Sequence, residues 1–136
     1  MKLSCVLVVL SCVAWSGHAF AHSLTQSCNP PAAQVAVNCL QPKLDSRAAR
    51  EHIEFEKTLE FVAGSQRDAP EAGIDAADVK EDLQLARQLW QNFTQHECAA
   101  ARRLVGYGTD RSNIELICLI QLYDQRIQEL ESWRGL

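Results

Sequence analysis

The fold class this sequence predicts is all-α, a small bundle of three to four helices in which a long helix and the C-terminal helix form a disulfide-linked hairpin. Three observations predict it. After residue 43 the apolar positions recur every three or four residues, the period of one helical face, and no stretch alternates as a half-buried strand does. Gly, Pro and Asp collect at 63–77 and 106–111, which leaves long uninterrupted segments between short connections, the pattern of antiparallel helical neighbours. Cysteines are frequent for a 136-residue chain, six in all, a length that suits one domain.

The N-terminal segment reads as an export signal over residues 1–21. Lys2 supplies a positive start, Leu3 to Trp15 is apolar except for Ser4 and Ser11, and Gly17 to Ala21 ends in an Ala-x-Ala cleavage pattern before His22. An apolar run of about 13 residues is shorter than the ~20 that span a bilayer as a helix, so no membrane span is expected. Lipoprotein anchoring through Cys12 is disfavoured, because Val9-Leu10-Ser11-Cys12 would leave a very short hydrophobic stretch. The expected organisation is a signal peptide at 1–21 and a single helical domain at 22–136, delivered to the periplasm.

The remaining elements follow in order. Asn29 before Pro30-Pro31 is a helix start, with Pro42 ending or kinking that short helix. Leu44, Ala48, Phe55, Leu59 and Val62 then share one face, with His52 on the same stripe. Residues 63–77 read as a loop. The clearest helix carries Val79, Leu83, Ala86, Trp90, Phe93, Ala101 and Leu104 on one face, with Asp78 as its expected N-cap. Gly106-Tyr107-Gly108 breaks it, and Ser112-Asn113-Ile114-Glu115 reads as a capping box that opens the last helix. Leu116, Ile120, Tyr123, Ile127 and Leu130 carry that helix's stripe.

Cys5 and Cys12 leave with the signal, so the mature chain keeps Cys28, Cys39, Cys98 and Cys118. An even count in an exported chain reads as two disulfides. Zinc is the rival, but no C-x2-C pair occurs, so no metal and no cofactor are expected. A helical hairpin turning at 106–111 brings Cys98 beside Cys118, which leaves Cys28 with Cys39. A continuous helix would part the latter two by about 16 Å, so Cys28 must fold back along the short helix.

Charge narrows the partner. The chain carries 13 Lys+Arg against 17 Asp+Glu, which disfavours nucleic acid. The excess is local: residues 43–82 hold eleven acids and six bases, whereas 83–136 hold six of each. Such a stretch is either a solvated helix face or a surface that steers a basic partner. Catalysis is not expected. His52 and Glu56 stand four residues apart and His96 adjoins Glu97, but no HExxH, nucleophile elbow or phosphate-binding glycine loop is present.

The run from Leu83 through Ala86, Trp90 and Phe93 to Glu97-Cys98 resembles the signature of the LprI-like lysozyme-inhibitor domain family, a Leu, an Ala, a Trp, an aromatic three residues on and then Glu-Cys. Gly106, Gly108, Cys118, Arg126 and Glu129-Leu130 continue the pattern, Cys28 and Cys39 match the first cysteine pair, and the resemblance spans 28 to 131. The sequence departs from the family at Thr94-Gln95, where Arg-Asp is usual, at Ala48 and Glu51-His52, and at Phe55, which replaces a common tyrosine. The resemblance implies an exported binding domain and, as the best-known activity, inhibition of lysozyme. Its expected partner is a protein, a basic cell-wall (peptidoglycan) hydrolase, with a homodimer as a further expectation. Two alternatives stand beside it: an immunity protein against a rival bacterium's peptidoglycan-cleaving toxin, and a non-inhibitory module of the bacterial envelope. Two loops are candidates for contact, one with Tyr107, Asp110 and Arg111, the other with Glu71, Asp75 and Asp78. Trp90, Phe93, Glu97 and Arg126 are expected to be structural, with Glu97 and Arg126 as an ion pair.

Overall fold

The structure, a computed structural model, describes Cys28, residues 33–105 and residues 111–135. The expected signal at 1–21, Asn29-Pro30-Pro31 and Gly106-Tyr107-Gly108 lie outside the described residues. Three helices make up the bundle: α1 (Ala33–Asp68), α2 (Ala76–Leu104) and α3 (Arg111–Trp133), with a 3-10 turn at Pro70–Ala72 between the first two. No strand occurs among the described residues. The fold is the all-α bundle the apolar periods require, and the Cys98–Cys118 disulfide joins α2 to α3.

The helix does not end at Pro42, and the loop after it is shorter than expected. Pro42 lies inside α1, which continues without interruption to Asp68. Proline removes one backbone N–H and crowds the carbonyl four residues back. Tertiary anchoring offsets that cost here: Leu40 is 2 % exposed and packs with Cys28, Leu116 and Ile120, and Val37, Cys39 and Leu44 close around them. The Cys28–Cys39 disulfide, with Cα atoms 5.7 Å apart, pins the same turn. The loop expected at 63–77 shrinks to the residues around the 3-10 turn, because Gly64 and its neighbours remain helical. Gly73 closes that turn with φ of 68°, a left-handed conformation that favours glycine, and donates its N–H to the Pro70 carbonyl at 3.3 Å.

Asp75, not Asp78, caps α2. Its Oδ1 accepts from the backbone N–H of Ala77 at 2.9 Å and of Asp78 at 3.4 Å. α3 begins at Arg111, which puts Ser112 in its first turn.

The inward face of α2 also differs from the expected stripe. Val79, Leu83, Trp90 and Ala101 point toward the bundle, but Phe93 is 53 % and Leu104 87 % exposed, and Ala86 is exposed as well. Arg87, Thr94 and Cys98 take the inner positions. Thr94 is buried at no polar cost because its hydroxyl donates to the Gln91 carbonyl at 2.9 Å.

The longest seam lies between α1 and α3 and is crossed by a ladder of ion pairs. Arg47 meets Asp124 at 2.6 Å, Arg50 meets Glu131 at 2.7 Å, and Arg134 closes onto Glu54. Arg134 also donates to the Glu54 carbonyl at 2.8 Å and the Thr58 hydroxyl at 3.1 Å, which ties the chain just beyond α3 to the middle of α1.

Candidate functional site

The expected contact residues fall at opposite ends of α2. Glu71 is exposed on the 3-10 turn, Asp75 caps the helix and Asp78 is exposed in its first turn. Arg111 opens α3 at the far end, and Tyr107 and Asp110 lie outside the described residues. From Asp78 to Leu104 the helix rises about 40 Å at 1.5 Å per residue, so the two candidate loops do not converge on one site.

The far end is braced. Cys98 and Cys118 approach to 5.5 Å between Cα atoms, Arg102 bonds Glu115 at 2.9 Å, and the Arg111 guanidinium reaches the Arg102 carbonyl at 3.5 Å. The near end is acidic. Glu60, Asp68, Glu71, Asp75, Asp78, Glu81 and Asp82 are all exposed there, against the exposed bases Arg67 and Lys80. Of the other four acids of the 43–82 stretch, Asp45 and Glu56 are exposed along α1. Glu51 and Glu54 are buried, and the local bases Arg47 and Arg50 are committed to α3. Seven of the eleven acids of the stretch are therefore exposed at one end of the molecule.

Inside the bundle, Glu51 is 1 % exposed and accepts two bonds from Arg87, at 3.2 Å and 2.7 Å. The Arg87 guanidinium also stacks 4.5 Å above the Phe55 ring. Burial, and next the charge of Glu51, raise the Tyr123 hydroxyl above its ordinary pKa. Tyr123 meets Trp90 edge-on at 5.0 Å. Sequence reasoning placed His52 on this inner stripe, but His52 is exposed and its neighbour Glu51 takes the position. The signal was there: Glu51 lies four residues before Phe55 and seven after Leu44, on the same helical face.

Glu97 and Arg126 do not form the expected pair. Glu97 is exposed on α2, whereas Arg126 is 6 % exposed and bonds Glu129 on its own helix at 3.2 Å. Its guanidinium carbon lies 5.1 Å from the Trp133 ring and 5.9 Å from the Trp90 ring, so indole faces stand where hydrogen-bond acceptors would. Glu54 keeps its proton less readily than an ordinary glutamate, first because Lys57 donates to it and next because Arg134 does. An open groove of about 440 Å³ between α1 and α2 is lined by Phe55, Glu56, Gln84, Arg87, Gln88 and Gln91. Its one cation is already paired with Glu51. His52 and Glu56 meet at 3.8 Å with both side chains more than half exposed, a solvated contact on one helix. Among the described residues no three His, Cys, Asp or Glu side chains group as a metal site, and no helix is long and apolar enough to cross a membrane.

The pattern of two disulfides, three helices and a braced hairpin agrees with a comparison against protein families, in which the model described as lysozyme inhibitor LprI matches residues 28–130. The chain belongs to the LprI family. Searches of curated proteins and of solved structures gave no match. The LprI match begins at the first disulfide cysteine and ends at Leu130, so it takes in both disulfides and nearly all of the three helices. It ends before Arg134, so the clamp on Glu54 lies beyond the LprI segment. The family's description is that of an inhibitor acting on another protein, not of a catalyst.

Proposed function

We propose that this LprI protein is exported through a signal peptide at 1–21 and inhibits a basic cell-wall hydrolase of the lysozyme type, docking through its acidic end. Family membership over residues 28–130 is the observation that carries the reading. The charge distribution supports it. Exposed carboxylates in excess of bases at the α1–α2 connection raise the encounter rate with a cationic enzyme and orient it on arrival. The 106–111 turn, with Tyr107, Asp110 and Arg111, is the second candidate for contact, and the described residues on either side of it are tied by the Cys98–Cys118 disulfide and the Arg102–Glu115 bond.

A peptidoglycan-clearing assay tests both statements. The purified, oxidised protein inhibits a c-type, g-type or phage-type lysozyme at micromolar concentration. The E60K/E71K variant, both changes on exposed side chains, weakens inhibition by about tenfold at low salt and by less as ionic strength rises. Absence of inhibition of all three enzyme types overturns the proposed function. Full inhibition by E60K/E71K at low salt overturns the acidic end as the docking surface.

A further inference from the structure

The side of α2 facing away from the bundle carries an apolar stripe that nothing in the described structure covers. Leu85, Leu89 and Phe93 stand four residues apart, so they follow one another along the helix, and they are 54 %, 59 % and 53 % exposed. A helix packed on one side needs no second apolar stripe, and singly scattered apolar residues would not align in this way.

The residues that continue this face decide what fits it. On the N-terminal side stand the carboxylates of Asp78 and Asp82; on the C-terminal side stand His96 and Arg103. All four are exposed, and none forms an ion pair among the described residues. The face is thus acidic at one end, apolar in the middle and basic at the other, with Leu89 at its centre. Such a face is complementary to itself when turned end for end, the requirement of a two-fold contact. With Leu89 on the axis, Leu85 meets Phe93 of the second copy. Asp82 lies level with that copy's His96, an N–H donor, and Asp78 lies within one helical turn of its Arg103.

We propose that the protein self-associates through this face of α2, antiparallel and two-fold about Leu89. The inference does not rest on the hydrolase reading, although Asp78 and Asp82 belong to the acidic end as well. Glu60 and Glu71, which test that reading, lie off the stripe, and the measurement needs no enzyme.

Sedimentation velocity of the oxidised protein over a micromolar-to-submillimolar series reads the association directly. A reversible dimer is expected, weakened at least tenfold by L89D. Weakening by R103E is expected to be restored by the paired change D78R/R103E. Circular dichroism confirms that each variant stays helical. Geometry has its own readout: L89C forms an intermolecular disulfide in a glutathione buffer more than tenfold faster than I53C, a comparably exposed apolar position on α1. A monomer throughout the series, a dimer indifferent to L89D, or equal cross-linking of L89C and I53C overturns the proposal.

Discussion

Replacing Arg87 by methionine tests whether the interior of this bundle depends on a buried charge pair. In the native chain the Glu51 carboxylate is 1 % exposed and its two oxygens each accept a bond from Arg87, whose side chain is 20 % exposed. Methionine keeps the unbranched stem but gives up the guanidinium's stack on Phe55, and it leaves the carboxylate without its cation in a site water barely reaches. Removing one partner of such a pair costs about 3–5 kcal/mol, most of it the penalty of the stranded charge and not the net worth of the pair. For a domain of this size a loss of about 1 kcal/mol lowers Tm by roughly 4 °C or more, so R87M is expected to melt about 12–20 °C below the parent. The double change E51L/R87M removes both charges and is expected to recover most of that loss, to within about 1–2 kcal/mol of the parent. Thermal and urea unfolding of the three proteins, disulfides intact, measures both quantities. If R87M unfolds within about 1 kcal/mol of the parent, or if E51L/R87M is no better than R87M, the stranded-charge argument is wrong.

The remaining expectations concern proton linkage and the hairpin staple. Glu54 has a folded pKa below its unfolded value, so its contribution to stability is complete above about pH 4.3 and is lost as pH falls through the lowered folded value. E54Q therefore shows a flatter decline of the urea midpoint from neutral pH to pH 2 than the parent, and an equal slope refutes the assignment. Removing the Cys98–Cys118 bridge in C98S/C118S, cysteines 20 residues apart, lowers stability by about 3 kcal/mol in the chain-entropy account, read as a shift of the denaturant midpoint. Two further expectations, weaker inhibition by E60K/E71K and weaker self-association of L89D, are checked by the clearing assay and by sedimentation.

The parts of this fold legible in the sequence were those set by local chemistry. Three-to-four spacing of apolar residues marked the helices, and the cysteine positions around a glycine-rich turn marked the α2–α3 hairpin. Element ends were harder to read, because tertiary contacts overrode local preference. Pro42 argues for a break, yet Leu40 and Leu44 are held in the core on either side of it and the helix persists. Residues 63–68 contain Gly64 and look like loop, but α1 carries them as helix to Asp68. Side-chain direction was hardest on α2. Trp90 and Phe93 stand three residues apart and look like one face, but the helix is rotated so that Trp90 turns in and Phe93 out. Thr94 and Arg87 fill inner positions because a neighbouring carbonyl and a buried carboxylate satisfy them, and neither partner is visible in an apolar count.

α2 turns Val79, Leu83, Trp90 and Cys98 inward together with Arg87 and Thr94, and leaves Leu85, Leu89 and Phe93 to water, at the desolvation cost of Glu51 and Arg87. Burying polar groups while exposing apolar ones lowers the stability of the isolated chain, and proteins retain such arrangements where the exposed side has work to do. The same division appears in the charges. Two bases of α1, Arg47 and Arg50, are committed to α3, and the α1–α2 turn carries more exposed carboxylates than bases, with Arg67 paired to Asp68. The proposed docking of a cationic enzyme draws on both properties: a disulfide-stapled frame and a surface with carboxylates in excess. In this protein the frame satisfies itself through α1 and α3, and the excess carboxylates gather on α2 and the turn that leads into it.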